Sequence, residues 1–476
     1  MSARRARSVR LISDVARRIA VLIDAEIREA LGPNATFEQL QDAAAGLAND
    51  ALWSRADTQL RDAITTAEEV EVGGRRYRRL EQPSSATYHG RWGDHHIEEA
   101  LYRQVGVRNG PTIKPIELRV GIVEGMTPDM ARIVGELGAE AGSRGVAKML
   151  RVTGLVAPGR AFIAKRTTQM AVEIAAEIEQ LEQAARDAES VPAEVGSVSC
   201  GMDRMAVRMS ELADPENPVP STRAEPYLRA PPLEKAHRYR MAWVGSTSIY
   251  DKAGAVLQTW RYAMEASAAP AAVARRIAKD VAWIVSTHHD VPVHCVQDGA
   301  PELRALPEAL AHALPTTTIP VVLVDFEHLL GYLDAVVDAC EPDDDPRDWK
   351  GWYRSSLLTD DAAIDTIWRK LRRIGKTLAG RGTAARNAVA AALSYIRHRK
   401  ARMRYASHHA ANLPIGSGAT ESTCWQMQQR VKLPGQSWDV GLRGVLAARG
   451  LALSERWTAA WQPYAARHRH EVRLLA

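Results

Sequence analysis

Apolar residues along the first third of the chain recur at helical spacing. Val9, Leu11, Ile12, Val15, Ile19, Leu22 and Ile23 follow one helical face until LGPNAT at 31–36 breaks it. Thr36-Phe-Glu-Gln39 has the form of a capping box opening a second helix. Residues 1–70 therefore read as a helical region. The pattern then changes period. VEVGGRRYRR at 70–79 alternates about a Gly-Gly pair, which predicts a hairpin, and a short strand-rich module follows with Tyr88, Trp92 and Tyr102 as core aromatics and Gly110-Pro111 as a turn. From Thr127-Pro128 the period is helical again. Ser143 opens a short helix, Gly154 ends it, and a longer helix begins near Pro158 with Arg160, Lys165 and Arg166 early in it. That is helix-turn-helix spacing, which any tight helical pair also satisfies. The longer helix is expected to continue through 173–189 with its acids at the surface, as a connector or partner helix.

A boundary falls near 191, so 71–190 forms a second region, a candidate DNA-binding one. The rest, 191–476, reads as an α/β domain. Alternation over 191–209 predicts a strand, and 212–237, rich in proline and charge, a surface excursion. Strands over 239–250 and 254–262, a helix over 271–286, a strand ending before Asp298, a helix over 301–314, a strand over 319–324 and a helix over 325–339 follow. Three meandering strands, then parallel strands entered through helices, is the ribonuclease H-like order around a mixed sheet. A helical insertion over about 341–411 precedes a Pro-Ile-Gly-Ser-Gly turn and a late helix carrying Glu421.

Composition narrows the partners. The 476-residue chain has ordinary globular usage, no apolar run long enough for a membrane span, and no signal-peptide core, so a cytoplasmic protein is expected. Its four cysteines, Cys200, Cys295, Cys340 and Cys424, are far apart; buried free thiols fit better than a zinc ribbon or a disulfide framework. Net charge is +5, but basic residues gather in Met1–Arg18, at RRYRR (75–79), at 369–376 and at 397–404. Each cluster could be a solvated face; four of them point to a polyanionic partner.

Three acids stand at matching points of the strand order: Asp203 on the first strand, Asp298 after the fourth, and Glu421 at the late helix. The first and fourth strands are neighbours in such a sheet, so Asp203 and Asp298 can meet at one edge. Carboxylate oxygens on rigid elements suit Mg²⁺ or Mn²⁺ and two-ion phosphodiester chemistry. Each acid also has a structural explanation. With Gly418 as N-cap, Glu421 would fall at N3 and cap its helix; Asp298-Gly299 is a turn dipeptide; Asp203 could pair with Arg204 or Arg208. Asp325 and His328 share one face of a helix start, where Asp325 could be an N-cap and His328 a surface side chain. Glu341–Asp345 reads as a solvated loop.

GMDR at 201–204, VQDGA at 296–300, LVDFEH at 323–328, RKARMRY at 399–405, LPIGSGATE at 413–421 and Trp438 together resemble the ISKra family of insertion-sequence transposases, a DDE-type, ribonuclease H-like group. The likeness is continuous from about Val195 to Trp461 and weaker over Tyr88–Met170. It implies that Asp203, Asp298 and Glu421 form a catalytic, metal-binding triad for Mg²⁺ or Mn²⁺. Asp325 and His328 match the family's Asp-x-x-His signature, and these and Trp438 would play supporting roles. Arg160, Lys165, Arg166, Arg399, Lys400, Arg402 and Arg404 would contact DNA. Trp425 and Ser437 replace residues commonly basic in that group, and Asp203 lies in Gly-Met-Asp-Arg rather than an Asp-Gly form. The implied partner is double-stranded DNA, as terminal inverted repeats and target, met by a homo-oligomer on the nucleoid and not by a membrane protein. A catalytically inactive, transposase-derived DNA-binding protein and a nuclease without strand transfer remain alternatives.

Overall fold

The computed structural model describes residues 14–216, 233–265, 267–340, 346–377, 382–439 and 441–475. The arginines before residue 14, most of the proline-rich excursion (217–232) and Glu341–Asp345 lie outside them. The chain divides into two compact units: Met1–Val134, Ser143–Ile163 and Tyr464–Ala476 form one, Gly135–Gly142 and Ala164–Pro463 the other. Among the described residues no helix is long and apolar enough to cross a membrane.

In the first unit, helices α1 (Asp14–Leu31) and α2 (Phe37–Asp62) flank the break at 32–36. The capping box forms: Gln39 N–H donates to Thr36 Oγ1 at 3.3 Å and Thr36 N–H to Gln39 Oε1 at 2.9 Å. The apolar stripe of α1 is only partly covered. Ile27 is buried, whereas Ile19, Val21 and Leu22 are at least half exposed, because α1 packs along α2 without a second layer over that face. Strands β1 (Glu69–Val72), β2 (Arg75–His89), β3 (Asp94–Gln104) and β4 (Thr112–Ile113) join the C-terminal strand β10 (Arg473–Leu475) in an antiparallel sheet of order β10-β1-β2-β3-β4. Gly73 and Gly74, both at positive φ, make the two-residue hairpin turn whose twist matches its strands. β2 runs ten residues past the predicted hairpin because a register shift between Arg79 and Pro83 absorbs the proline. Tyr88 and Tyr102 are buried as expected; Trp92 is only half-buried in the turn between β2 and β3, under the Arg91 guanidinium.

Helices α3 (Pro115–Val120), α4 (Pro128–Glu140), α5 (Ser143–Val152) and α6 (Arg160–Ala176) follow, α4 and α6 each continuing from the first unit into the second. Gly154, at φ +74°, closes α5 while Leu155 N–H reaches back to Leu150 O at 2.8 Å. The single long helix expected through residue 189 is instead broken at Glu177, with α7 (Ile178–Ala188) starting afresh. On α7 Glu182, an acid expected at the surface, is buried, as is Arg186.

The second unit holds β5 (Ser197–Leu212), β6 (Lys235–Tyr250), β7 (Val256–Met264), α8 (Pro270–Thr287), β8 (Val293–Gln297), α9 (Ala305–Ala313) and β9 (Val321–Val324). The sheet order is β7-β6-β5-β8-β9; β5, β6 and β7 pair antiparallel, and β5, β8 and β9 parallel. β8 is buried along its whole length, as a central parallel strand must be. Side chains of β5 alternate between layers. Val198, Cys200 and Met202 face a core that includes α8 and α9, while Met205 and Val207 face one built on α15 (Gly418–Val431) and α16 (Gly441–Leu453). Before α15 come α10 (Phe326–Cys340), α11 (Pro346–Thr359), α12 (Ala363–Thr377) and α13 (Thr383–Arg399), which share one core, and the short α14 (Ala406–Ala410). Helix α17 (Trp457–Ala466) precedes β10. Beyond the sheet, β5 and β6 continue as a two-stranded ribbon up to the pair Leu212↔Lys235, so the predicted surface excursion is partly strand.

A buried charge cluster ties these layers. Asp280 of α8, fully buried, accepts from Arg186 at 3.0 Å, from Arg456 at 2.8 and 3.1 Å, and from the Tyr262 hydroxyl; beside it Arg276 is paired with Glu182. Asp280→Ala would leave two buried guanidinium groups short of an acceptor, so we expect a loss of about 3–5 kcal/mol, read from the urea midpoint.

Candidate active site

Parity and register bring the acids together. β5 and β8 pair as Val198↔Val293, Ser199↔His294 and Cys200↔Cys295; carried three residues further, that register sets Asp203 opposite Asp298. Asp203 has the same parity as Met205, so it lies on the α15 side of the sheet. Helix α15 can approach there because of Gly201. A Cβ at Gly201 would sit 2.5 Å from Thr420 Oγ1 and 2.5 Å from Val296 O, closer than real side chains allow. The Thr420 hydroxyl instead meets Ser246 Oγ at 2.8 Å, with both residues buried. One residue on, Glu421 leaves the same helix turn.

The three carboxylates are not equally engaged. Asp203 Oδ1 accepts Arg204 N–H at 2.7 Å and Oδ2 accepts the Cys424 thiol at 3.5 Å. Neither arginine considered for Asp203 takes it; Arg204 pairs with Glu302. Burial pushes the Asp203 carboxyl above its ordinary range, against the pull of Arg204 N–H and the Cys424 thiol, and the neighbouring charge of Asp298 adds to the rise. The Cys424 thiol is raised too, by burial first, then by Asp203 and Glu421. Asp298 does form the turn expected of it: Oδ1 accepts Ala300 N–H at 2.7 Å, with Gly299 at φ +80°. Its carbonyl oxygen accepts the Tyr395 hydroxyl at 2.8 Å, and Arg399 Nε donates to Gly299 O at 3.1 Å, so α13 clamps this turn.

Glu421 does not cap its helix. Ser417 rather than Gly418 is the N-cap, which moves Glu421 one position past N3, and its Oε1 accepts the Ser417 hydroxyl at 3.2 Å. The backbone amide of Ser417 is taken by Asp325 Oδ2, while Asp325 Oδ1 accepts His328 N–H at 2.6 Å. Buried Asp325 is thus the N-cap of α10 and the anchor of the Gly-Ser-Gly turn. His328 is exposed, its ring 5.6 Å from those of Tyr332 and Tyr395. Among the described residues no three His, Cys, Asp or Glu side chains converge as a ligand set for one ion. Asp203 and Asp298 adjoin; Glu421, exposed, lies on the same helix as Cys424, the thiol donor to Asp203.

Trp438 stitches the loop after α15 to the edge of β5. Its N–H donates to Arg208 O at 3.0 Å, its carbonyl accepts Ser210 N–H at 2.6 Å, and its indole donates to Val431 O at 2.9 Å. Arg430 covers the ring and is lowered to about 10 by burial, with Arg449 adding to the shift. Several basic candidates are committed internally. Arg399 holds the Asp298 turn, Lys400 pairs with Asp365, and Arg402 is half-buried and lowered by that burial. Arg404 is exposed, as are Arg160 in the first unit and Lys165 in the second; Arg166 donates to Gln169 at 2.9 Å. Sequence reasoning gave no role to Gly201, Thr420, Cys424 or Tyr395. The first three lie within or beside the motifs quoted above, and nothing in the sequence marks Tyr395.

No protein-family model matches this chain, and no curated protein matches it.

Gly201→Ala should cost about 1–3 kcal/mol in urea unfolding, since Val296 O is backbone and cannot swing away. An acid lifted by folding weakens the fold as pH rises from the ordinary carboxylate range through the lifted one. Asp203→Asn should therefore raise the melting temperature at neutral pH by roughly 1–4 °C in metal-free buffer. Millimolar Mg²⁺ should raise the parent's melting temperature and leave that of Asp203→Asn/Asp298→Asn where it was, by scanning calorimetry.

Proposed function

We propose that this chain is a DDE-class DNA transposase on a ribonuclease H-like core, which binds terminal inverted repeats, cleaves DNA and transfers strands. What carries the reading is the β5–β8 register, which carried on three residues sets Asp203 opposite Asp298, whose charge adds to the rise of the Asp203 carboxyl, on the face where the helix bearing Glu421 is seated on Gly201. The donor set fits Mg²⁺ or Mn²⁺. The oxygens are hard and on rigid elements, and a bound cation would offset the charge of Asp298 that adds to the rise of the Asp203 carboxyl. Asp203 and Asp298 would hold such an ion, and Glu421 would complete the set. Bound there, it would supply Lewis-acid stabilisation to the attacking and leaving oxygens of a phosphodiester. The chain's own residues do the positioning. Tyr395 and Arg399 fix the Asp298 turn, Asp325 fixes the turn before Glu421, and Cys424 orients Asp203. Exposed Arg160, Lys165 and Arg404 would take phosphates. On this reading the protein acts in the cytoplasm on the nucleoid, as a homo-oligomer pairing two DNA ends.

A second reading, an inactive transposase-derived DNA-binding protein, is favoured by one finding: Asp203 has both oxygens engaged and no three-ligand set is formed among the described residues. Cleavage of DNA carrying the element's ends separates the two. With Mg²⁺ the parent should nick the ends and join the freed 3′-hydroxyl to target DNA, while Glu421→Gln should bind the ends equally and cut nothing. Unchanged cleavage by Glu421→Gln would remove the acid from the mechanism; binding without cleavage by the parent would favour the second reading.

A further inference from the structure

The helical insertion carries a surface that the acid site does not use. Helices α11 and α12 set three indoles among cations. Lys370 Nζ lies 3.7 Å from the Trp349 ring centre and 4.4 Å from that of Trp352. The Arg372 guanidinium lies 4.8 Å over Trp368, and Lys400 Nζ 5.4 Å from the same ring. Trp349 and Trp368 also pack on the insertion core, but Trp352 keeps 37% of its surface exposed. Along α12, Arg369, Arg372, Arg373 and Lys376 are exposed, and among the described residues none of the four is paired with a carboxylate. Arg369 donates to the Asp365 carbonyl oxygen and the Thr366 hydroxyl instead.

A purely solvated basic helix needs no indoles beside it, and an apolar protein-docking face would not be rimmed by unpaired cations. Cations with accessible π-faces match a polyanion whose bases are unstacked. Duplex DNA hides its base faces, whereas a single strand offers them, and base–aromatic stacking is sequence-tolerant. A guanidinium lying on an indole also presents a flat outer face to a base. We infer that the α11–α12 face binds single-stranded DNA. Trp352 takes unpaired bases, and Arg369, Arg373 and Lys376 take phosphates. This rests on the reading above, in which strands are opened at an element's ends, and names their holding site. The insertion core touches the acid site through Tyr395, which donates to the carbonyl of Asp298.

The test uses the full-length protein without divalent metal, so its outcome is independent of cleavage. Fluorescein-labelled oligo(dT) of about 15 nucleotides, a duplex of equal length, and a single strand containing 2-aminopurine are titrated by anisotropy and fluorescence. Trp352→Ala should weaken single-strand binding at least about fivefold and abolish the 2-aminopurine quenching, with duplex binding nearly unchanged and Trp352→Phe close to the parent. Arg373→Ala should flatten the logarithmic salt dependence of single-strand binding by roughly 0.7. Equal losses on single strand and duplex, or quenching that survives Trp352→Ala, would overturn the inference. Should Trp352→Ala fail to fold by circular dichroism, an unchanged salt slope in Arg373→Ala would overturn it.

Discussion

Helix α15 lies on β5 only because residue 201 has no side chain. The constraint is steric and local, yet the candidate site depends on it. A Cβ there would meet the neighbouring strand's carbonyl as well as the helix, so neither element could yield alone. With the gap closed by a threonine–serine hydroxyl pair, the helix position is fixed to within a hydrogen bond. Two consequences follow from sheet parity. Asp203, two residues after the glycine, faces the same helix, and Glu421, one residue after the threonine, emerges beside it. Asp203 and Glu421 come to one strand–helix junction because a small residue and a hydroxyl stand just before them.

Other parts of the second unit are held by charge rather than by shape. Asp280, Arg186, Arg456 and Glu189 interlock helices far apart in sequence, and Arg430 and Arg449 supply donors to the carbonyls of Gly138 and Ala139 at the C-terminal end of α4. Such groups cost desolvation, so they add less net stability than their bond count suggests, but removing one partner strands the others. They act as geometric keys. After the break at Glu177, the restarted helix pairs Glu182 with Arg276 and Arg186 with Asp280.

Period and turn chemistry made much of the fold legible beforehand. The capping box at Thr36, the Gly-Gly hairpin, the Gly154 stop and the alternation of strands and helices after residue 191 are local signals, and local physics decides them. The errors arose where tertiary partners decide. The stripe on α1 follows one helical face, but spacing cannot say how much of that face a second layer covers. Trp92 looks like core by type, but its turn leaves it half open. Glu182 on α7 looks solvated until Arg276, far along the chain, is placed beside it. At the site, the acids could be singled out from their positions in the strand order. What each oxygen does could not, because Cys424, Tyr395 and Ser417 are selected only by the folded geometry.

Glu421 shows how structural and chemical demands on acids are divided in one small region. A turn followed by a helix needs its first amides satisfied, and a nearby glutamate is an obvious source of the acceptor. Here another acid meets that need. Asp325, buried and bonded to two backbone amides, takes the Ser417 N–H that a capping glutamate would have contested. Glu421 is left with one hydroxyl contact and an exposed carboxylate, whereas both oxygens of Asp325 are spent on architecture. Two acids that look interchangeable in sequence, each at the head of a helix, are separated by burial. The buried one can only be a brace, and the exposed one keeps oxygens for a ligand.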